Sequence, residues 1–141
     1  MTSPAIPARR QHWLRAVGYG LLAEITTIVT IIAVVMIYRY VLATCLAESS
    51  YAAFGERVGA LVGPVGGTLY TFLFAWLLMR RLGSDFIAHG VVVALAAVTL
   101  SVAGSLAGHR GLPAAYLIAS AAKIAAGALA GFLRARTAAV G

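Results

Sequence analysis

Four long apolar stretches, at about 14–38, 59–79, 86–106 and 114–133, occupy most of this chain, and two of them carry an ionisable residue in their interior. A helix needs about 20 apolar residues to cross a hydrocarbon layer of about 30 Å, so each stretch reads as a membrane span. The intruding charges are Glu24 in the first and Lys123 in the last. A charge at that depth is costly and calls for a partner or a task.

Composition agrees with lipid as the main solvent. The 141 residues are 62% hydrophobic and 11% charged, against about 25% charged in soluble domains. The expected fold is all-α, a four-transmembrane-helix bundle forming one domain over 13–134. A basic tail precedes it at 1–12 and a short tail follows at 135–141, both expected in the cytoplasm. Residues 1–8 read as a loose tail. The first span is too long for the apolar core of a cleaved signal and contains Glu24, so it reads as a retained helix despite the Arg9-Arg10 pair. The formal charge of +7 does not indicate nucleic acid, because the arginines cluster at span ends.

Those ends set an expected topology. Arg9, Arg10, Arg15, Arg80, Arg81, Arg134 and Arg136 fall on one side. Arg39, Arg57 and Arg110 fall on the other, beside Glu48 and Glu56. The asymmetry places both termini in the cytoplasm, N-in and C-in. Trp13, Tyr38, Tyr40, Trp76 and Tyr116 lie near span ends, where amphipathic rings collect. In the turn between the second and third spans, Gly83 is expected to end one helix and Ser84 or Asp85 to cap the next. Pro113 suits the start of the fourth. The outer loop at 42–58 is the longest connection and suggests a short interfacial helix around Tyr51, capped by Ser49 or Ser50. Cys45, the single cysteine, reads as an inert thiol near the membrane edge rather than a lipidation site. The two halves show no repeat of the inverted-transporter kind.

Depth ties the two buried charges together. Glu24 lies nine residues beyond Arg15, about 14 Å along a helix, and Lys123 lies eleven residues before Arg134, about 17 Å from the same face. They share a level if the first and fourth helices are neighbours. Glu24 stands on a stripe with Gly20 and Thr27, and Lys123 on one with Tyr116, Ser120, Gly127 and Gly131. Small and polar stripes are the ones that face protein. One reading is an internal ion pair that sets how helices meet. The other makes Glu24 a proton or cation carrier with Lys123 as its competitor. His89 is a third candidate member of this polar cluster; its alternative is a hydrogen bond to Asp85 or a loop carbonyl one turn away. Threonines in the first two spans either bond their own backbone or line a polar route.

Glycines recur every four residues at Gly59, Gly63 and Gly67, at Gly104 and Gly108, and at Gly127 and Gly131. Such stripes let helix backbones approach closely, within the chain or between copies. Around Pro64, flanking glycines are able to break a helix and expose carbonyls. No metal-ligand spacing, phosphate-binding loop or nucleophile set is present, so no cofactor, metal or enzymatic chemistry is expected.

Val65-Gly66-Gly67, Ala75, the Arg80-Arg81 turn and His89-Gly90 resemble a group of small bacterial four-helix membrane proteins classed as a domain of unknown function. The likeness covers about 63–100. It implies a bacterial inner-membrane bundle, assigns no activity and accounts for neither Glu24 nor the long outer loop. The resulting expectation is a structural, accessory or self-associating module with a buried Glu–Lys pair. Its partners would be the lipid bilayer and a homo-oligomer or larger membrane complex. The alternative is a small proton- or cation-coupled transporter or channel subunit using Glu24.

Overall fold

The computed structural model describes residues 8–108 and 114–140, and they fold into four long helices. These are α1 (Ala8–Ile37), α2 (Glu48–Met79), α3 (Phe86–Ala107) and α4 (Ala114–Val140), with one π-helical turn, Tyr38–Leu42, closing α1. Each is long and apolar enough to cross a membrane. The expected all-α, four-helix fold is therefore present. The loose tail expected at 1–8 and the Pro113 helix start lie outside the described residues, apart from Ala8.

Helix boundaries differ from the sequence reading at four places. The α1 helix starts at Ala8, so the expected basic tail at 1–12 is helical from that residue on. The α2 helix starts at Glu48 and runs unbroken through Pro64 to Met79, so the expected loop at 42–58 with its separate interfacial helix is mostly the first third of α2. Pro64 costs one backbone hydrogen bond, and its own carbonyl accepts a 2.7 Å bond from Thr68 Oγ1. The start of α2 is fixed from outside the helix. Arg39 forks onto both Glu48 carboxylate oxygens at 3.0 Å, and the Tyr51 hydroxyl accepts from Leu46 N and donates to Ala43 O. Tyr38 stacks on Phe54 with centroids 3.7 Å apart. The residue preceding α2 is Ala47, without a side-chain cap, in place of the expected Ser49 or Ser50. At the other end of the chain α4 continues to Val140, so the expected tail at 135–141 is helical almost throughout. The α2–α3 turn also departs from expectation. The α2 helix ends at Met79, before Gly83. Asp85 precedes α3 in the left-handed region at φ 56° and makes no side-chain cap bond, a conformation that Asp tolerates better than most residues.

In cross-section α1 packs on α2 and α3, and α4 packs on the same two helices. The α1 and α4 helices therefore occupy opposite corners. The starts of α1 and α3 meet at one end, where Trp13 stacks on His89. The end of α4 is there too, with Gly131 against Phe86 and Ile87. This is the turn end; the opposite end, carrying the α1–α2 connection, is the loop end.

Small side chains make up most of the interior, beside Leu78, Met79 and Val93 toward the turn end. Ala16, Ala23, Ala75, Ala94, Ala97 and Ala130 are all 0% exposed, whereas Val41, Leu42 and Ile118 are 70% exposed or more. Large apolar groups outside and small ones inside is the arrangement expected where lipid surrounds the bundle and close backbone approach drives packing. Gly90 and Gly127 mark the tightest crossing: a Cβ on Gly90 would stand 2.1 Å from Gly127 O, and one on Gly127 would stand 2.3 Å from Gly90 O.

A candidate site at the centre of the bundle

Glu24 and Lys123 meet in the middle of the molecule. Lys123 Nζ lies 2.5 Å from Glu24 Oε2, with the two side chains 6% and 9% exposed. The sequence argument asked for α1 and α4 as neighbours. They stand on a diagonal instead, and the side chains bridge it. Two features make the span possible. Lysine carries its ammonium on four methylenes, and Gly67 of α2 has no side chain to block its course. A Cβ at Gly67 would lie 2.6 Å from Lys123 Cε and 3.1 Å from Nζ.

Ser101 of α3 completes a triangle. Lys123 Nζ donates to Ser101 Oγ at 2.8 Å, and Ser101 Oγ donates to Glu24 Oε1 in a short contact. Each carboxylate oxygen thus receives one hydrogen bond, and the serine both accepts and donates. Every helix contributes: Glu24 from α1, Gly67 from α2, Ser101 from α3 and Lys123 from α4. A buried ion pair is tolerable only with this kind of hydrogen-bond satisfaction, because removing both ions from water costs several kcal/mol each. Tyr116, two turns before Lys123, brings its hydroxyl close enough to interact with Ser101 and Glu24, although that hydroxyl is buried without a well-formed hydrogen bond.

The other candidate residues are placed as follows. Thr27 is 2% exposed, and its methyl group would stand 3.8 Å from a Cβ on Gly67; its hydroxyl donates to Ala23 O at 2.9 Å. Ser120 donates to Tyr116 O. Thr26, Thr68, Thr71 and Thr99 likewise return to the carbonyl one turn back. Thr30 does the same and also pairs with the Tyr70 hydroxyl at 3.0 Å. His89 does not join the pair. It lies twelve residues before Ser101, about 18 Å along α3. There it stacks on Trp13 at 4.2 Å and contacts Asp85 O through Nδ1 at 2.8 Å.

The glycine stripes divide. Gly127 and Gly131 pack against α3 backbone, and Gly67 accommodates Lys123, but a Cβ on Gly59, Gly63 or Gly104 would meet nothing within 4 Å. Gly108 follows the last turn of α3, with its N–H bonded to Gly104 O. Ser101 went unnoticed in the sequence, as did the packing roles of Gly90 and of Gly20, whose added Cβ would stand 2.2 Å from Val93 O. Among the described residues no group of His, Cys, Asp and Glu is arranged to hold a metal ion. An apolar groove on the α1–α3 surface is lined by Val17, Leu21, Val92 and Leu100 among others, and by none of Glu24, Ser101 and Lys123.

No family model, curated protein or solved structure matches this chain.

Proposed function

We propose that this protein is an integral membrane module of the bacterial inner membrane, with both termini cytoplasmic. In this reading it acts by architecture rather than catalysis, as a rigid accessory unit for its own copies or a larger membrane complex. The observation that carries this is the direct, hydrogen-bonded contact between Glu24 and Lys123, which draws all four helices to one point. A charge pair that can only form when the bundle is correctly assembled specifies that assembly and penalises others. The arginine asymmetry supports the orientation, and the resemblance over about 63–100 supports the bacterial setting.

The test uses the purified protein in detergent or bicelles. Lys123→Met leaves Glu24 buried and unpaired and is expected to destabilise the bundle by about 3–5 kcal/mol. Adding Glu24→Leu is expected to recover most of that loss. A double variant as unstable as the single would refute the pairing role.

A second reading, proton- or cation-coupled transport through Glu24, is favoured by a separate observation: on the loop side of the pair Tyr51 is the single buried residue among those described. Glu24→Gln should then abolish pH-driven flux in proteoliposomes while preserving the fold; unchanged flux removes this reading.

A further inference from the structure

Burial along the four helices is one-sided. On the turn side of the pair each helix carries fully packed positions, such as Ala23, Ala75, Ala94 and Ala130. On the loop side, beyond Thr27, Gly67, Ala97 and Lys123, Tyr51 is the single buried residue among those described. Glycine clearances agree in part. The glycines whose added Cβ would press against the backbone of another helix, Gly20, Gly90, Gly127 and Gly131, all lie on the turn side, where Gly18 and Gly83 are open; on the loop side Gly59, Gly63 and Gly104 face open space and Gly55 has only Val35 at 3.8 Å. Gly63 and Gly59 continue the stripe of Gly67 in four-residue steps, so the open space in front of them extends the direction in which Lys123 lies.

The stripes that carry the pair are polar on this side. Ser105 follows Ser101 by one turn on α3, and Ser120 and Tyr116 precede Lys123 on α4. Thr30, also on this side, pairs with the hydroxyl of Tyr70, a residue one turn to the turn side of Gly67. Hydroxyls paired or placed on inward stripes lower the cost of admitting water between helices, where bare apolar walls would stay dry.

We propose that the loop half is an aqueous vestibule that opens at the membrane face carrying the α1–α2 connection and ends at the Glu24–Ser101–Lys123 triangle. Water and the protons it carries reach the carboxylate from that face alone. The packed turn half, with its Gly90–Gly127 crossing, is the seal. This inference rests on the chain crossing a membrane and deepens the second reading above, since a proton carrier needs access and a seal.

The test is thiol labelling of the full chain in sealed proteoliposomes, on a Cys45→Ser background, with a permanently charged, membrane-impermeant methanethiosulfonate. Wild-type Cys45, which is exposed, identifies the side on which the reagent meets the loop end. Ser105→Cys and Ser120→Cys are expected to react from that side at least tenfold faster than Ile118→Cys, which sits at the depth of Ser120 but is 71% exposed on the outer surface. Ala126→Cys, below the pair, is expected to stay unreacted from either side. Gly63→Leu, placing a side chain in the open space, should slow Ser120→Cys about tenfold. Equal rates at Ser120→Cys and Ile118→Cys, or labelling of Ser120→Cys from the turn side, would overturn the proposal. Labelling as expected together with unchanged flux in Glu24→Gln would uphold the vestibule while removing transport.

Discussion

The two halves of this bundle solve the same packing problem differently. Toward the turn end, helices touch backbone to backbone through Gly20, Gly90, Gly127 and Gly131. Toward the loop end Tyr51 is the single buried residue among those described, and order is kept by polar and aromatic clasps: Arg39 with Glu48, Tyr38 on Phe54, and Tyr51 holding Ala43 and Leu46. The ion pair stands at the junction. In lipid there is little hydrophobic drive between helices, so close packing has to come from small residues, and where they are absent specific polar contacts take over. A half held by dispersion at short range is unforgiving of added atoms, whereas a half held by clasps is unforgiving of lost ones.

Substitutions can break or sharpen that contrast. Apart from the loss of Lys123 itself, the largest effect is expected from Gly127→Ala or Gly90→Ala, since a single methyl must push two helices apart. A loss of about 3 kcal/mol or more in unfolding free energy is expected, at the upper end for overpacking. The same exchange at Gly63 meets no neighbour and gains helix propensity. It should be neutral or stabilising by up to about 1 kcal/mol, and a large loss there would show that the loop half is packed after all.

Next comes the junction itself. Gly67→Ala is expected to cost about 1–2 kcal/mol by displacing Lys123. In a Lys123→Met background that cost should change markedly, because residues in contact do not act additively. Strict additivity would place Lys123 elsewhere. Ser101→Ala removes a hydroxyl that serves both ions and should cost about 1–3 kcal/mol. The smallest loss is expected at the clasp. Tyr51→Phe loses two hydrogen bonds and should cost about 1 kcal/mol, seen most clearly as faster amide exchange around residues 43–51 with little change near Ala94.

Much of this was legible in the sequence because the physics is one-dimensional. Span length, the arginine ends and the need of a buried carboxylate for a cation follow from composition along the chain, and they led to four helices and to Glu24 with Lys123. What escaped depends on how helices face each other. Ser101 looks like any hydroxyl that bonds its own backbone, as Thr99 does two residues earlier; only the presence of the pair gives it another partner. Gly90 has no glycine four residues away, so no stripe announces it, and its partner Gly127 belongs to another helix. Gly59 and Gly63 form a better stripe than Gly90 and Gly127 do across helices, yet they pack against nothing. The early start of α2 was hidden by Glu48, Glu56 and Arg57, whose charges end the apolar stretch near 59, while Pro64 and its glycines, in isolation, read as a break inside the span. Thr68 supplies a bond to the Pro64 carbonyl, and the clasp at Glu48 and Tyr51 holds the far end in place.

The central claim is that the ammonium of α4 and the carboxylate of α1 touch across the long diagonal. Lys123 is the sole lysine in the chain, so labelling lysine at 15Nζ and glutamate at 13Cδ gives one ammonium signal in bilayer samples. Solid-state dipolar recoupling should find a carboxylate carbon within about 4 Å of that nitrogen, the range of a contact ion pair, and Glu24→Gln should shift the ammonium resonance. A nitrogen with no labelled carboxylate within reach would contradict the account.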